Sequence, residues 1–460
     1  MLDRRGLFPW VLWGVLLLAP ASAVGQVGND FDPAWYDPGA PHVQLSVTTD
    51  GVYRVSAEAL AAALPEGTTL ADIPPETIRL LENGDEIPIH VEGAGDGALD
   101  PSDTITFVGH RNRGTDERWA YDGDASAQSS THRSLYSDTT HYWMTWGGEA
   151  GRRYAQGTPD ATSVVRALRD TVRIEQDQTY YFGRPSSNGN PLYTESEGYY
   201  WRQFRHNDTA PISERYLLPV GRRVDTGASL DLRVRVDAAS SSCHRVEVEG
   251  KLRQPDGTQA FESLAAAEWK NLARRTIEAS VAQDRVPEGG LELRLTSYND
   301  GFSADLECSD PSSTPNYVLF DWAEAAYTRT LAAQDDDAQR HVVPTTEATT
   351  FALTNHVGDS VRVYSPADAR RYEAAIEADT AFVEAAPSTA PAPHWAVGAD
   401  GYKTPAAIQP DASSNWSDPD AHSADYLLLT TEALLPAAQQ LADYRRSHDG
   451  YEVEVALVQD

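Results

Sequence analysis

Leu230-Asp231-Leu232-Arg233-Val234-Arg235-Val236 sets an aliphatic side chain at every second position and a charged one between each pair. Successive side chains of an extended strand point to opposite faces, so the run has one apolar face and one charged face. It predicts a strand packed on one side against a second layer. Similar alternating runs lie around it at 245–248, 291–295 and 317–320, separated by turns rich in Gly, Ser and Asp. Short strands repeating at this spacing predict a β-sandwich or jelly roll over residues 165–332.

Toward the N-terminus, Val43-Gln44-Leu45-Ser46-Val47, a turn at Thr49-Asp50-Gly51 and Val52-Tyr53-Arg54-Val55 predict a hairpin. A short helix is expected over 57–63. Ile78-Arg79-Leu80-Leu81, the turn Asn83-Gly84 and Ile87-Pro88-Ile89-His90-Val91 predict a second hairpin. With the strand Tyr142-Trp143-Met144-Thr145-Trp146 these form a β-rich domain over 40–155. Asp96, Asp100 and Asp103 precede the strand ending at Phe107. Their carboxylates suit calcium, but the spacing is not that of an EF-hand loop, so a solvated turn feeding a strand is expected.

Toward the C-terminus, Phe351-Ala352-Leu353 and Val361-Arg362-Val363-Tyr364 read as a strand pair and 374–383 as a short helical element, making 345–395 a short β and linker region. Residues 386–420 are rich in Ala, Pro, Ser and Asp and read as a connection or exposed loop. Asp425-Tyr426-Leu427-Leu428-Leu429-Thr430 then changes the pattern to a continuous apolar strand, of the kind buried on both faces. A helix from about Leu434 to His448, Gly450 at its end and the strand Val453-Glu454-Val455-Ala456-Leu457-Val458 complete a βαβ unit of a parallel sheet over 420–460. Two parallel strands cannot bury both faces alone. The unit therefore either docks on the β domains or opens a larger α/β domain.

Arg4 and Arg5, an apolar core over 7–18 and Ala21-Ser22-Ala23 read as a secretory signal peptide over 1–23. The apolar stretch is shorter than the roughly 20 residues that span a bilayer, so no transmembrane segment is expected after cleavage. The protein is expected to be secreted, periplasmic or at the cell surface. Asp and Glu number 69 against 37 Lys and Arg, a formal charge of −32, and the lysines are Lys251, Lys270 and Lys403 alone. Such a surface repels nucleic acid. Abundant carboxylate with scarce lysine suits high salt and points to a halophilic source; an ordinary acidic secreted protein is the alternative, separated by whether the fold weakens when salt is removed.

Cys243 and Cys308 are the only cysteines. In an exported chain an isolated pair lacking zinc-type spacing reads as a disulfide. His244 adjoins Cys243, but strand neighbours point apart, so adjacency does not make a nucleophile and base. Tyr180-Tyr181-Phe182 and Tyr199-Tyr200-Trp201 offer a sugar-stacking platform or core and edge packing, packing being the expectation.

Several stretches together resemble the gingipain-type cysteine peptidases, in particular the sortase-like members of the type IX secretion system. They are Gly51-Val52-Tyr53-Arg54-Val55, Asp103-Thr104-Ile105-Thr106-Phe107-Val108-Gly109, and Tyr142-Trp143-Met144-Thr145 with Gly151-Arg152-Arg153. Farther on come Asn316-Tyr317-Val318-Leu319-Phe320-Asp321-Trp322 with Tyr327-Thr328-Arg329, and Ala424-Asp425-Tyr426-Leu427-Leu428-Leu429-Thr430 with Leu441-Ala442-Asp443-Tyr444-Arg445 and Gly450-Tyr451-Glu452-Val453. The resemblance implies a mainly β chain, an N-terminal β domain and a β-sandwich or jelly roll, followed by the first βαβ unit of a caspase-like α/β peptidase domain that is incomplete here. It implies that the catalytic histidine and cysteine lie downstream of Asp460, so no residue of this chain takes a catalytic or cofactor-binding role. Calcium is implied without named ligands, and protein substrates or type IX secretion components are implied as partners.

The expected function is that of the N-terminal portion of a secreted gingipain-like cysteine peptidase, acting in proteolysis or in sortase-like processing of exported proteins. The alternative is a non-catalytic exported β-sandwich binding or surface protein. A glycoside hydrolase would need two carboxylates about 5–10 Å apart across a cleft, a pair no sequence pattern singles out.

Overall fold

A computed structural model of the chain describes residues 35–37, 39–121, 128, 130–157, 163–181, 198–224, 227–308, 316–334, 336–343, 347–387, 392–411 and 421–458. The expected signal peptide and Phe182 lie outside the described residues. The chain is mainly β, as the alternating runs predict.

The alternating run forms strand Ser229–Ala238, and burial follows its parity: Leu230, Leu232, Val234 and Val236 are buried while Asp231 and Arg233 face water. It lies between Asn316–Thr330 and Ala273–Ala282 in a sheet that Ala167–Glu175 and Arg202–His206 complete along the far edge of Asn316–Thr330. The facing sheet runs Ile212–Leu218, Leu291–Tyr298, Cys243–Arg253, Gln259–Lys270, and every pairing in both sheets is antiparallel. Val246, Val248, Leu291, Leu293 and Leu295 meet the Leu230–Val236 face and Phe320 in one core. Each such aliphatic side chain contributes roughly 1.5–3 kcal/mol by leaving water. Asp237 is buried at the end of its strand, and Arg235 (3.0 Å), Arg274 (3.5 Å) and the Tyr200 hydroxyl (3.1 Å) surround its carboxylate.

The first region departs from the expected hairpin at 49–51. His42–Val47 pairs with Thr140–Thr145 and Ala407–Asp411, whereas Gly51–Ser56 pairs with Thr104–Gly109 in a separate sheet. Apolar side chains on both strands are buried nearly throughout, so the turn carries the chain from one layer to the next. The second hairpin forms between Arg79–Glu82 and Asp85–Ile87, with Asn83 and Gly84 both at positive φ (50° and 90°). That is the conformation a two-residue Asn-Gly turn supplies. The expected strand 87–91 is broken at Pro88: His90–Glu92 pairs with Thr104–Gly109 in the other sheet. Helix Ala57–Ala61 starts at Ser56, whose Oγ accepts from the Ala59 N–H (3.1 Å).

A further sheet runs Ala338–Val343, Ala392–Val397, Ser360–Ser365, Arg370–Glu377, Thr380–Ala385, Thr349–Thr354, Ser163–Val165, with Ala155–Gln156 beside Arg370–Glu377. Three expectations are corrected here. Residues 374–383 are not helical: Ala378 and Asp379, at φ 46° and 64°, turn Arg370–Glu377 into Thr380–Ala385 as a hairpin. Their alanine content favours helix, but turn geometry and burial on the sheet prevail. Residues 351–353 and 361–364 do not pair with each other, since Thr349–Thr354 pairs with Thr380–Ala385 and Ser360–Ser365 with Arg370–Glu377 and Ala392–Val397. Residues 386–420 include two strands. Ala392–Val397 is interior to the sheet, with Pro393 beyond the three residues that pair with Ser360–Ser365. Ala407–Asp411 forms the edge of the first sheet, where Pro410 is tolerated.

Candidate functional site

Tyr426–Thr430 and Val453–Leu457 pair in parallel, Tyr426 opposite Val453 and Thr430 opposite Leu457, with helix Leu435–Tyr444 as the crossover. Pro436 sits in the first turn, and Gly450 at φ +74° takes the left-handed position that ends the helical segment. One expectation is reversed: Leu427 and Leu429 are 60% and 67% exposed rather than buried, and Leu434 and Tyr444 are also exposed. The apolar side chains of the first strand, Leu427 and Leu429, are thus uncovered by the described residues, beside Glu454 and the buried Ala456 on the second. Between helix and sheet lies a polar cleft of 640 Å³ lined by Gln439, Asp443, Arg446, Glu452 and Glu454. His422 Nδ1 lies 2.5 Å from Glu454 Oε1 beside it. Residues 420–460 contain no cysteine.

Cys243 and Cys308 lie in the sandwich with Cα atoms 5.8 Å apart and their sulfurs joined, closing a loop of sequence separation 65. His244 is committed elsewhere: its ring nitrogens lie 2.6 Å from Asn316 Oδ1 and 3.0 Å from Ser240 O. Burial pushes this imidazole below its ordinary pKa, against the opposing pull of the Ser240 and Asn316 oxygens.

The aromatic cluster is largely internal. Trp201 stacks on Phe320 (5.6 Å) and meets Tyr216 edge-on (4.8 Å), Tyr200 is buried, and the Tyr181 hydroxyl donates to Ala239 O (3.0 Å). Tyr180 is exposed and leans on Tyr199. The aspartates at 96–103 do not fit a calcium ion: Asp103 is buried and accepts from the Asp100 N–H (2.8 Å), while Asp96 accepts from the Ala98 N–H (3.2 Å). Among the described residues no group of three His, Cys, Asp or Glu is placed to hold a metal.

An ion-pair seam that pattern reading missed joins the 110–138 loop to strand Ala167–Glu175. Arg133 pairs with Asp138 (2.9 Å) and Asp177 (3.6 Å), Arg173 with Glu175 (2.7 Å), and Ser130 Oγ donates to Glu175 (2.9 Å); Arg111 pairs with Asp138 and Arg113 with Asp50. Burial, then the charge of Glu175, pushes Asp177 up to about 6. Burial, with Arg113, Arg173, Arg111 and Arg133, holds His132 down to about 4. A polar cleft of 430 Å³ opens beside the seam, lined by Arg133, Asp138, Asp177, Gln178 and Tyr199 among others. The charges are scattered over four segments of chain, so no local pattern marks the seam.

No protein-family model and no curated protein matches the chain. Among solved structures, the crystal structure of dimeric latent PorU from Porphyromonas gingivalis is similar over 91% of this chain at 16% identity, with a TM-score of 0.55. The chain spans 37% of that structure. A xylanase 10B from Clostridium thermocellum matches over 35% of this chain and 26% of its own at 13% identity, with a TM-score of 0.18. The fold is therefore PorU-like. Among the described residues no helix is long and apolar enough to cross a membrane.

Proposed function

We propose that this chain is the N-terminal portion of a secreted, gingipain-like cysteine peptidase of the sortase-like, type IX secretion kind, whose histidine and cysteine lie outside residues 1–460. The observation that supports it is the βαβ unit with an uncovered Leu427 and Leu429 face. A parallel strand pair of this composition is buried on both faces in complete α/β sheets, so a further layer and further strands belong on it. The domain division is read as 40–155, 165–332, 345–395 and 420–460, with export by the segment 1–23 and protein substrates as partners. The test has two parts. The coding frame is read past Asp460 for a histidine and a cysteine on later strands. Peptide hydrolysis is then compared between the 460-residue chain and the extended chain. Thiol-dependent cleavage by the extended chain alone is expected; cleavage by the 460-residue chain that persists in Cys243→Ala/Cys308→Ala overturns the reading.

A second reading, an exported surface-binding protein, draws on the polar cleft at Asp177, Gln178 and Tyr199 and on the exposed Tyr180 ring beside Tyr199. Glycan-array binding lost in Tyr199→Ala would favour it. Halophily belongs to the same proposal: thermal stability should fall as salt is withdrawn from this acidic chain.

A further inference from the structure

Strand Ala392–Val397 leads directly into a strap, residues 398–411, that crosses to the first region. There the Lys403 N–H donates to Val52 O (2.8 Å), the Arg54 N–H donates to Lys403 O (2.8 Å), and Ala407–Asp411 completes the sheet of His42–Val47. At the root of the strap two histidines oppose each other across the ladder, His341 on Ala338–Val343 and His394 on Ala392–Val397. Their rings stack with centroids 5.6 Å apart, and Phe351 packs on both. Both side chains are 1% exposed. His394 Nδ1 donates to Ala392 O (3.2 Å); His394 Nε2 and both nitrogens of His341 have no hydrogen-bond partner among the described residues.

Neutral imidazoles suit such a site as aromatic rings. Two imidazolium ions do not, because a buried charge needs a partner and these would face each other. The surrounding charges give little relief. Arg340 lies on the same strand as His341, and Arg329 reaches in from Asn316–Thr330; Asp368 comes from the turn after Ser360–Ser365. Asp337 is already engaged by the Val357 and Asp400 N–H groups (2.9 and 3.0 Å) and by His356 (3.1 Å).

We propose that His341 and His394 form a proton-operated latch, whose protonation parts Ala338–Val343 from Ala392–Val397 and releases the strap from the first region. The direction follows from burial, which lowers both imidazoles below their ordinary value, with His394 adding to the effect at His341. A group lowered in the closed state stabilises closure fully above its ordinary pKa of about 6.5 and less as pH falls below it.

Hydrogen exchange of the full chain, followed by mass spectrometry at constant ionic strength and corrected for intrinsic rates, tests this. Below about pH 6.5, opening measured on peptides from 392–411 should rise about tenfold per pH unit for each histidine that takes up a proton. In His341→Phe/His394→Phe the same peptides should lose that slope while peptides from Cys243–Arg253 keep theirs. The latch is overturned if strap protection in the unaltered chain is flat from about pH 7.5 to about 5, or if the double variant keeps the full slope. Should the double variant not fold, His341→Met gives the same comparison with a smaller slope, and the unaltered chain's profile decides alone.

Discussion

The sandwich strand Ser229–Ala238 and the C-terminal strand Tyr426–Thr430 are both aliphatic, yet they end in opposite environments. In the first, Leu230, Leu232, Val234 and Val236 are buried and charged neighbours face out. In the second, Leu427 and Leu429 stand in water. An alternating strand specifies its own exposed face and so reaches its final burial once a single partner sheet forms. A continuous apolar strand needs two covering layers, and the βαβ unit supplies one. How apolar a strand is therefore says less about its final environment than the number of layers its pattern calls for.

The largest test of this contrast is Phe320→Ala, which empties the centre of the sandwich core and should cost about 3–5 kcal/mol by urea denaturation. A loss under about 1 kcal/mol would mean the two sheets do not share one core. Next, Cys243→Ser/Cys308→Ser should remove about 2–4 kcal/mol by freeing the 65-residue loop. No change would show that the Asn316 and His244 hydrogen bonds already restrain that loop. A smaller effect is expected from acid. His206 and His244 are both lowered below their ordinary pKa chiefly by burial, so that region's stability should be full above about pH 6.5 and decline as pH falls, a trend readable in its thermal midpoint. A midpoint that rose on acidification would contradict their burial as neutral rings. Smallest of all, Leu427→Gln/Leu429→Gln should change unfolding free energy by no more than about 0.5 kcal/mol and reduce self-association in sedimentation. A loss of about 2 kcal/mol or more would place that face inside the folded chain after all.

The sandwich was readable because its alternation survives residue by residue, and the second hairpin because Asn83-Gly84 supplies both positive φ values at little steric cost. Other features turn on what packs from a distance. Ala378 and Asp379 carry no strong turn signature, so the hairpin they close looked helical. Pro393 and Pro410 suggested loops, yet Pro393 lies opposite Val342 beyond the residues that pair with Ser360–Ser365, and Pro410 lies on an edge strand opposite Val43. The exposure of Leu427 could not be seen in composition, because burial depends on what lies across the strand. His341 and His394 occupy inward positions of two strands far apart in sequence, and nothing local marks them as opposite neighbours.

The Tyr36 hydroxyl donates to Asp411 Oδ2 (3.0 Å) across 375 residues of chain, next to the ladder that joins His42–Val47 to Ala407–Asp411. Synthesis delivers the chain from its N-terminus, so the first strand emerges long before the one that seals its edge. That strand must wait with an open hydrogen-bonding edge while the sandwich and the sheet of Ala392–Val397 assemble. Folding of this molecule is therefore expected to be slow, with the first-made sheet among the last completed.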